Sequence, residues 1–313
     1  MVEKSNLLVA SSPHIHSGDT VRKVMANVMI ALLPATAASV YYFGLPAAIV
    51  IAVSVFSCVL AEYVWKKAFK LTVNIDNLSA AVTGLLLGLT LPPGLPWWMV
   101  VIGSVFAVAA GRHSFGALSR NILNPALAGR AFLQIVWPGA MITWTKPFET
   151  VTAATPLTIS KHSLPEALPT YFDMLIGNRT GSLGETCIIA LLAGAVFLLI
   201  RKDIFLTVPI AFIGTVAAGA ALFGEDPIFH VLGGGLVLGA FFMATDPITS
   251  PVPRAGKIIF GVGCGTLTIL MRVKGWYSEG VCFSILAMNL IVPLLDKSII
   301  PGRFGGQKGA ADA

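Results

Sequence analysis

Four threonines fall within ten residues at Thr150, Thr152, Thr155 and Thr158, in the stretch Glu149 to Thr158. The chemistry such a stretch can do is that of an accessible hydroxyl receiving a covalent group from a modifying enzyme. Pro156 biases Thr155 toward an extended backbone. The stretch also lies in the longest break between apolar segments, and functional residues gather on such loops. The alternative is structural, because threonine-rich loops hydrogen-bond their own backbone. Residue types alone leave both readings open.

Three further clusters place polar groups in or beside apolar segments, where they are costly and therefore informative. The first runs from Gly111-Arg112-His113 through Asn121 and Asn124-Pro125 to Arg130. The second is Thr245-Asp246-Pro247, continuing to Thr249 and Pro251. The third is Glu279-Gly280, followed by Asn289 and Pro293. Capping and helix–helix hydrogen bonding are the structural alternatives, since Asp246 and Asn124 each precede a proline. Arg130 is the least comfortable of these groups; a guanidinium within a span calls for a carboxylate, a phosphate or water. Asp246, Glu279 and Asn289 are candidates for an ion path.

The elements that must position these groups are membrane helices. The chain is 56% hydrophobic and 12% charged, with a mean hydropathy of +0.82; soluble domains carry about 25% charge. Apolar windows fall near 24–43, 46–65, 78–91, 97–111, 122–143, 185–200, 204–223, 229–244, 256–271 and 280–295. They are too long and uniformly apolar for barrel strands. The expected fold is an all-α polytopic membrane protein of about ten transmembrane helices. The third, fourth and eighth windows are short, glycine-rich or bounded by proline, as in the broken helices that line binding cavities.

Residues 78–93 echo 232–247, and Trp98 to Asn124 weakly echo Gly256 to Asn289. The expected organisation is two inverted five-helix repeats, at 24–143 and 185–296. A loop at 144–184 joins them, between an N-terminal arm at 1–23 and a tail at 297–313. Fifteen of the 21 Lys and Arg residues fall on the side of the N-terminus and five on the other, with Arg130 inside a span. By the positive-inside rule both termini are cytoplasmic and the 144–184 loop faces outward.

Several functions are disfavoured. The basic residues, net +6, are scattered in pairs between spans and form no nucleic-acid-binding face. The first twenty residues are polar and show no secretory signal; His14 and His16 read as a solvated arm. Cys58, Cys187, Cys264 and Cys282 are isolated, with no CxxC pair, so no metal or Fe–S site is expected in the chain. No hydrolase, Walker or dinucleotide-binding motif occurs.

Taken together, these segments resemble the RnfD family of Rnf electron-transport complexes, which is similar to the NqrB component of the Na+-translocating NADH:quinone oxidoreductase. The resemblance runs through SPHIHSGDTVRKVMANVMIALLPA, GRHSFGALSRNILNPALAGRAF, TAATPL, MATDPITSP and WYSEGVCFSILAMNLIVPLLD. The length favours the Rnf component. In that family FMN is joined through its phosphate to a threonine in a Ser/Thr-Gly-Ala-Thr segment. The resemblance implies that Thr155 is the acceptor and Thr152 the leading hydroxyl, with Ala153 in place of the usual Gly. Pro156, Arg112, Asn121, Asn124 and Arg130 are the further residues expected around flavin.

The resemblance also implies a place in an Rnf-type oxidoreductase of a bacterial or archaeal cytoplasmic membrane. There electrons pass between reduced ferredoxin and NAD as Na+ or H+ crosses. Expected partners are other membrane, flavin and Fe–S subunits, a flavin transferase for maturation and the lipid bilayer, and no nucleic acid. A non-covalent riboflavin is a further expectation. The competing reading is a small-solute channel or transporter, motivated by the inverted repeat and by Asn124 and Asn289 within spans; flavin content discriminates the two.

Overall fold

The computed structural model describes residues 20–70, 77–113, 121–149, 151–162, 168–275 and 279–299. The chain is an all-α polytopic membrane protein, and each apolar window of the sequence holds helix. α1 (Val21–Phe43), α2 (Leu45–Ala68), α3 (Ser79–Thr90), α4 (Trp97–Val108) and α5 (Pro125–Val136) form the first half. α6 (Pro138–Met141), α7 (Pro156–His162) and α8 (Tyr171–Ile176) lie in the connecting region. α9 (Ile188–Arg201), α10 (Thr207–Leu222), α11 (Pro227–Leu232), α12 (Leu236–Leu238), α13 (Arg254–Val273) and α14 (Val281–Ser298) form the second. By length and composition α1, α2, α13 and α14 can each cross a membrane.

The shorter helices have local causes. α3 buries all 12 of its residues, as a helix apolar all round must. α5 stops at Val136, short of the 143 expected from hydropathy, because Pro138 cannot continue the ladder at that register. The eighth window is broken: α11 ends at Leu232, and Gly234 and Gly235 take φ values of 63° and 65°, a left-handed backbone that glycine adopts without penalty. A short π-helical turn at Gly239–Met243 then follows α12. A second π-helical turn, Ala109–His113, ends the fourth span.

Within the first half α2 packs on α3 and α4, and α4 on α5; within the second, α10 packs on α11 and α13, and α13 on α14. The halves join through α1 against α9 and α5 against α14. Gly194 of α9 sits so close to α1 that a Cβ there would overlap the Ala31 carbonyl oxygen. Small residues at such crossings let membrane helices approach.

The described residues of the 144–184 region carry secondary structure of their own. Strands β1 (Trp144–Thr145) and β2 (Thr152–Ala153) pair antiparallel, Trp144 opposite Ala153 and Thr145 opposite Thr152. Leu183 N–H donates to the Leu91 carbonyl (3.2 Å), and Phe148 N–H to that of Tyr42 (2.9 Å). These bonds fix the region to the C-terminal ends of α1 and α3.

Candidate functional site

The structure corrects the expectation that Thr155 is an exposed loop hydroxyl. Thr155 is 4% exposed and stands at the head of α7, with Pro156 as the first helical residue. Its Oγ1 accepts from Thr158 N–H (3.3 Å) and lies 2.9 Å from the Thr158 hydroxyl. This is N-capping: a side-chain oxygen satisfies an orphan amide of the first turn, and proline at the first position lacks the amide that would need one. The structural reading therefore holds for Thr155. Thr155 forms part of the wall of an open groove.

That groove, about 860 Å³, is lined by Gln134, Trp144, Thr152, Ala153, Ala154, Thr155, Thr158, His162 and Glu279, with Pro138, Met141, Ile142 and Thr143 at its apolar side. Its wall is fixed from behind by the Thr180 hydroxyl, which donates to the Ala154 carbonyl at 2.5 Å. Thr152 is exposed, whereas Pro156, the first residue of α7, is buried. Lys161 of α7 turns away, its ammonium donating to the carbonyls of Met271 (3.3 Å) and Gly275. Burial lowers its pKa from the ordinary lysine value.

Beneath the groove lies a buried charged cluster. Arg130 Nη2 pairs with the Glu279 carboxylate and Nη1 donates to the Thr90 carbonyl. The carboxylate that Arg130 calls for is thus 149 residues away in sequence. Arg179 and Arg272, 5% and 3% exposed, read as loop charges in the sequence. In the fold they serve the break between α11 and α12. Arg272 donates to the carbonyls of His230, Gly233 (2.9 Å) and Gly234 (3.3 Å), and its Nε to that of Glu279 (3.1 Å). Arg179 donates to the carbonyls of Leu232 (2.6 Å) and Glu185 (2.5 Å). Terminal carbonyls freed by a helix break need donors, and a guanidinium supplies several in fixed geometry. Three adjacent glycines are the sequence signal for this demand; which arginines answer it is not readable locally.

Glu185 is also buried. Its Oε1 accepts from Ser182 N–H (3.0 Å) in a capping box. It lines an inner cavity of about 30 Å³ with Thr90, Arg130, Ser182, Gly234, Gly235, Cys282 and Glu279. That is room for about one or two waters.

The remaining candidates gather at the opposite end of the bundle. Asn124 caps α5, its Oδ1 accepting from Ala126 N–H (3.1 Å) and Leu127 N–H (3.3 Å), while its Nδ2 donates to the Met243 carbonyl (3.3 Å). With its amide oriented to satisfy both ends, Asn289 donates to the Thr249 carbonyl (3.2 Å) and accepts from Asn124 N–H (3.1 Å). Asp246 accepts from Ile248 N–H (3.3 Å) and the Thr249 hydroxyl (3.2 Å), a turn-capping role. Asn121, Asn124 and Asp246 line a cavity of about 60 Å³ with Ser79, Thr83, Asp203 and Thr245. The structure therefore brings Asn121, Asn124, Asp246 and Asn289 together at one end, and Thr152, Thr155 and Glu279 at the other. Arg130 lies one residue contact inside the groove. The side chain of Arg112 and residues 114–120 lie outside the described residues.

Fold and site define a class: a polytopic membrane protein whose bundle carries a hydroxyl-lined groove at one end and a buried charged cluster beneath it. The chain belongs to the NQR2, RnfD, RnfE family, whose model matches residues 8–305. It is 43% identical, over 98% of both chains, to a protein of Clostridium ljungdahlii named as a subunit of the proton-translocating ferredoxin:NAD(+) oxidoreductase complex. It is 44% identical, over 93% of both chains, to a protein of Acetobacterium woodii named as a subunit of the Na(+)-translocating ferredoxin:NAD(+) oxidoreductase complex. Against a protein of Escherichia coli O127:H6 named as a subunit of the ion-translocating oxidoreductase complex, identity is 34%, over 96% of this chain and 99% of the relative.

Proposed function

We propose that this chain is the flavin-bearing membrane subunit of an ion-translocating ferredoxin:NAD oxidoreductase complex, with FMN joined through its phosphate to Thr155. The observation that carries the flavin assignment is that Thr155, the residue matching the family's acceptor, lines the 860 Å³ groove. Ligand pockets run roughly 300–1,000 Å³, so the groove fits a molecule of this size. Its donor set fits too: Trp144 offers an aromatic face, and Gln134, Thr152, Thr158 and His162 offer hydrogen-bonding groups.

Bound FMN would supply the redox chemistry, passing electrons one or two at a time. The chain supplies attachment, orientation and exclusion of water. Esterification removes the proton from Thr155 Oγ1 but leaves an acceptor. The amide of Thr158 can keep donating to it, and the Thr158 hydroxyl becomes the donor of that pair. The cap on α7 thus tolerates the attachment. Thr180, through the Ala154 carbonyl, holds the acceptor segment against the bundle.

The chain resides in a cytoplasmic membrane with both termini on the cytoplasmic side, a reading supported by the Lys and Arg bias. Its halves are inverted repeats, supported by the matching packing of α2–α4–α5 and α10–α13–α14. The candidate ion route runs past Glu279, which the groove and the inner cavity share, and past Asn289 and Asp246 toward the Asn124 cavity. The coupling ion is Na+ or H+; at nearly equal identity the two relatives' names carry different ions. The 60 Å³ cavity beside Asn121 and Asn124 has room for a few waters, so riboflavin there requires the site to open. Partners are the other membrane, flavin and Fe–S subunits, and a flavin transferase during maturation.

The test is in-gel flavin fluorescence of the denatured chain after co-expression with a flavin transferase, followed by peptide mass mapping. Fluorescence mapping to the Thr155 peptide is the expected result. A flavin-free chain that passes a small solute in liposomes would overturn the assignment in favour of a channel.

A further inference from the structure

Among the described residues that line the groove and the inner cavity, Glu279 is the one common to both. Its carboxylate closes the passage by pairing with Arg130. The two partners differ in surroundings: the Glu279 side chain is 17% exposed and that of Arg130 7%. Glu279, the more exposed partner, thus lines the groove as well as the inner cavity, and Arg130 lines the inner cavity alone. The backbone of Glu279 is pinned, because its carbonyl accepts from Arg272 Nε at 3.1 Å. Gly280, which follows at a φ of 68°, has the left-handed backbone that turns the chain into α14. Motion at this point therefore belongs to the Glu279 side chain. Across the inner cavity stands a second buried carboxylate, Glu185, toward which Arg130 can turn when Glu279 lets go.

We propose that the Glu279–Arg130 pair is a gate between the groove and the inner cavity, and that Glu279 is the positioning residue through which charge in the groove acts on the bundle interior. This rests in part on the reading of the groove as the flavin site. A negative charge in the groove repels the Glu279 carboxylate that lines it, at a separation well within the screening length of salt. Weakening the pair unblocks the inner cavity and frees Arg130 for Glu185. The geometry places a charge-sensitive barrier between the face where electrons are carried and the interior through which an ion must pass.

Cys282 lines the inner cavity and reports the gate. The experiment uses the full chain in its assembled membrane complex, with Cys58, Cys187 and Cys264 replaced by alanine. Sulfonatoethyl methanethiosulfonate, a membrane-impermeant thiol reagent, is added from the side of the 144–184 loop. Labelling of Cys282 should be slow with Glu279 intact and about tenfold faster in Glu279→Ala, the ratio that about 1.4 kcal/mol off the opening barrier gives. Equal rates overturn the proposal. A matched chain keeping Cys264 alone, a buried residue of α13, controls for loosening of the fold. Should that cysteine also label faster in Glu279→Ala, or the variant fail to assemble, Glu279→Gln decides the matter. It removes the charge and keeps an acceptor, and must still speed Cys282 labelling. An unchanged rate in that variant rejects the gate.

A second readout is the midpoint potential of the groove flavin, which should rise in Glu279→Gln because a nearby negative charge is lost. An unchanged potential removes the coupling to groove charge. If the native chain carries no covalent flavin, the flavin assignment fails while the Cys282 rates still decide the gate.

Discussion

Thr155 and Asn124 are built by the same local device and end in opposite surroundings. Each stands before a proline that opens a helix, and each spends a side-chain oxygen on an amide of the first turn. Thr155 forms the wall of a groove of about 860 Å³. Asn124 borders a cavity of about 60 Å³ and is crossed by the Met243 carbonyl and Asn289. The difference lies in what packs over the cap. Two short strands and the ends of α5 and α6 stand back from Thr155, whereas α14 and the 243–249 turn close on Asn124. One local grammar thus serves both a groove wall and a structural pin, and tertiary packing decides which.

Thr155→Val separates the two caps most clearly. Covalent flavin should vanish from the denatured chain, while stability falls by only about 1 kcal/mol for a lost cap. Thr155→Ser should keep both. Fluorescent peptide at Thr158 in the valine variant would show that the neighbouring hydroxyl, not Thr155, is the acceptor.

Next in size is Arg272→Met, which strips donors from the break at Gly233 to Gly235. Each buried carbonyl left without a donor costs about 1–3 kcal/mol, and several such losses are a large share of the roughly 5–15 kcal/mol that holds a domain folded. Expression and thermal stability in detergent should both collapse. A variant of native stability would mean that water satisfies those carbonyls.

Asn124→Ala is expected to cost about 1–2 kcal/mol through the lost cap, with covalent flavin unchanged. Loss of flavin in this variant would show that the two ends of the bundle are energetically coupled. Thr180→Val should have the smallest effect, about 1 kcal/mol for one hydrogen bond. The yield of modified chain should drop modestly because the Ala154 carbonyl loses its restraint, which mass spectrometry of the intact protein can measure.

Much of the architecture is legible because it is written in local runs. The apolar windows become helices, the triple glycine at 233–235 becomes a break, and Pro138 explains why α5 stops early. The groove is half legible. The threonine stretch stands out in the sequence, but its capping role turns the expected exposed hydroxyl into a buried one. The charged cluster is scarcely legible at all. Arg130 demands a partner, yet Glu279 lies 149 residues away, and Arg179 and Arg272 look like ordinary charges at segment ends. Long-range pairing between single residues leaves no periodicity to read.

The burial of Thr155 sets an order of events. At 4% exposure, with its oxygen occupied by α7 and its segment held by Thr180, the side chain is a poor target once the fold has closed. On the proposed attachment, the transferase must arrive while this segment is still open, or wait for it to open. The modification is then a timestamp of assembly. Transferase added to the finished complex should modify the chain more slowly than transferase present during synthesis, and equal rates would show that the segment reopens freely.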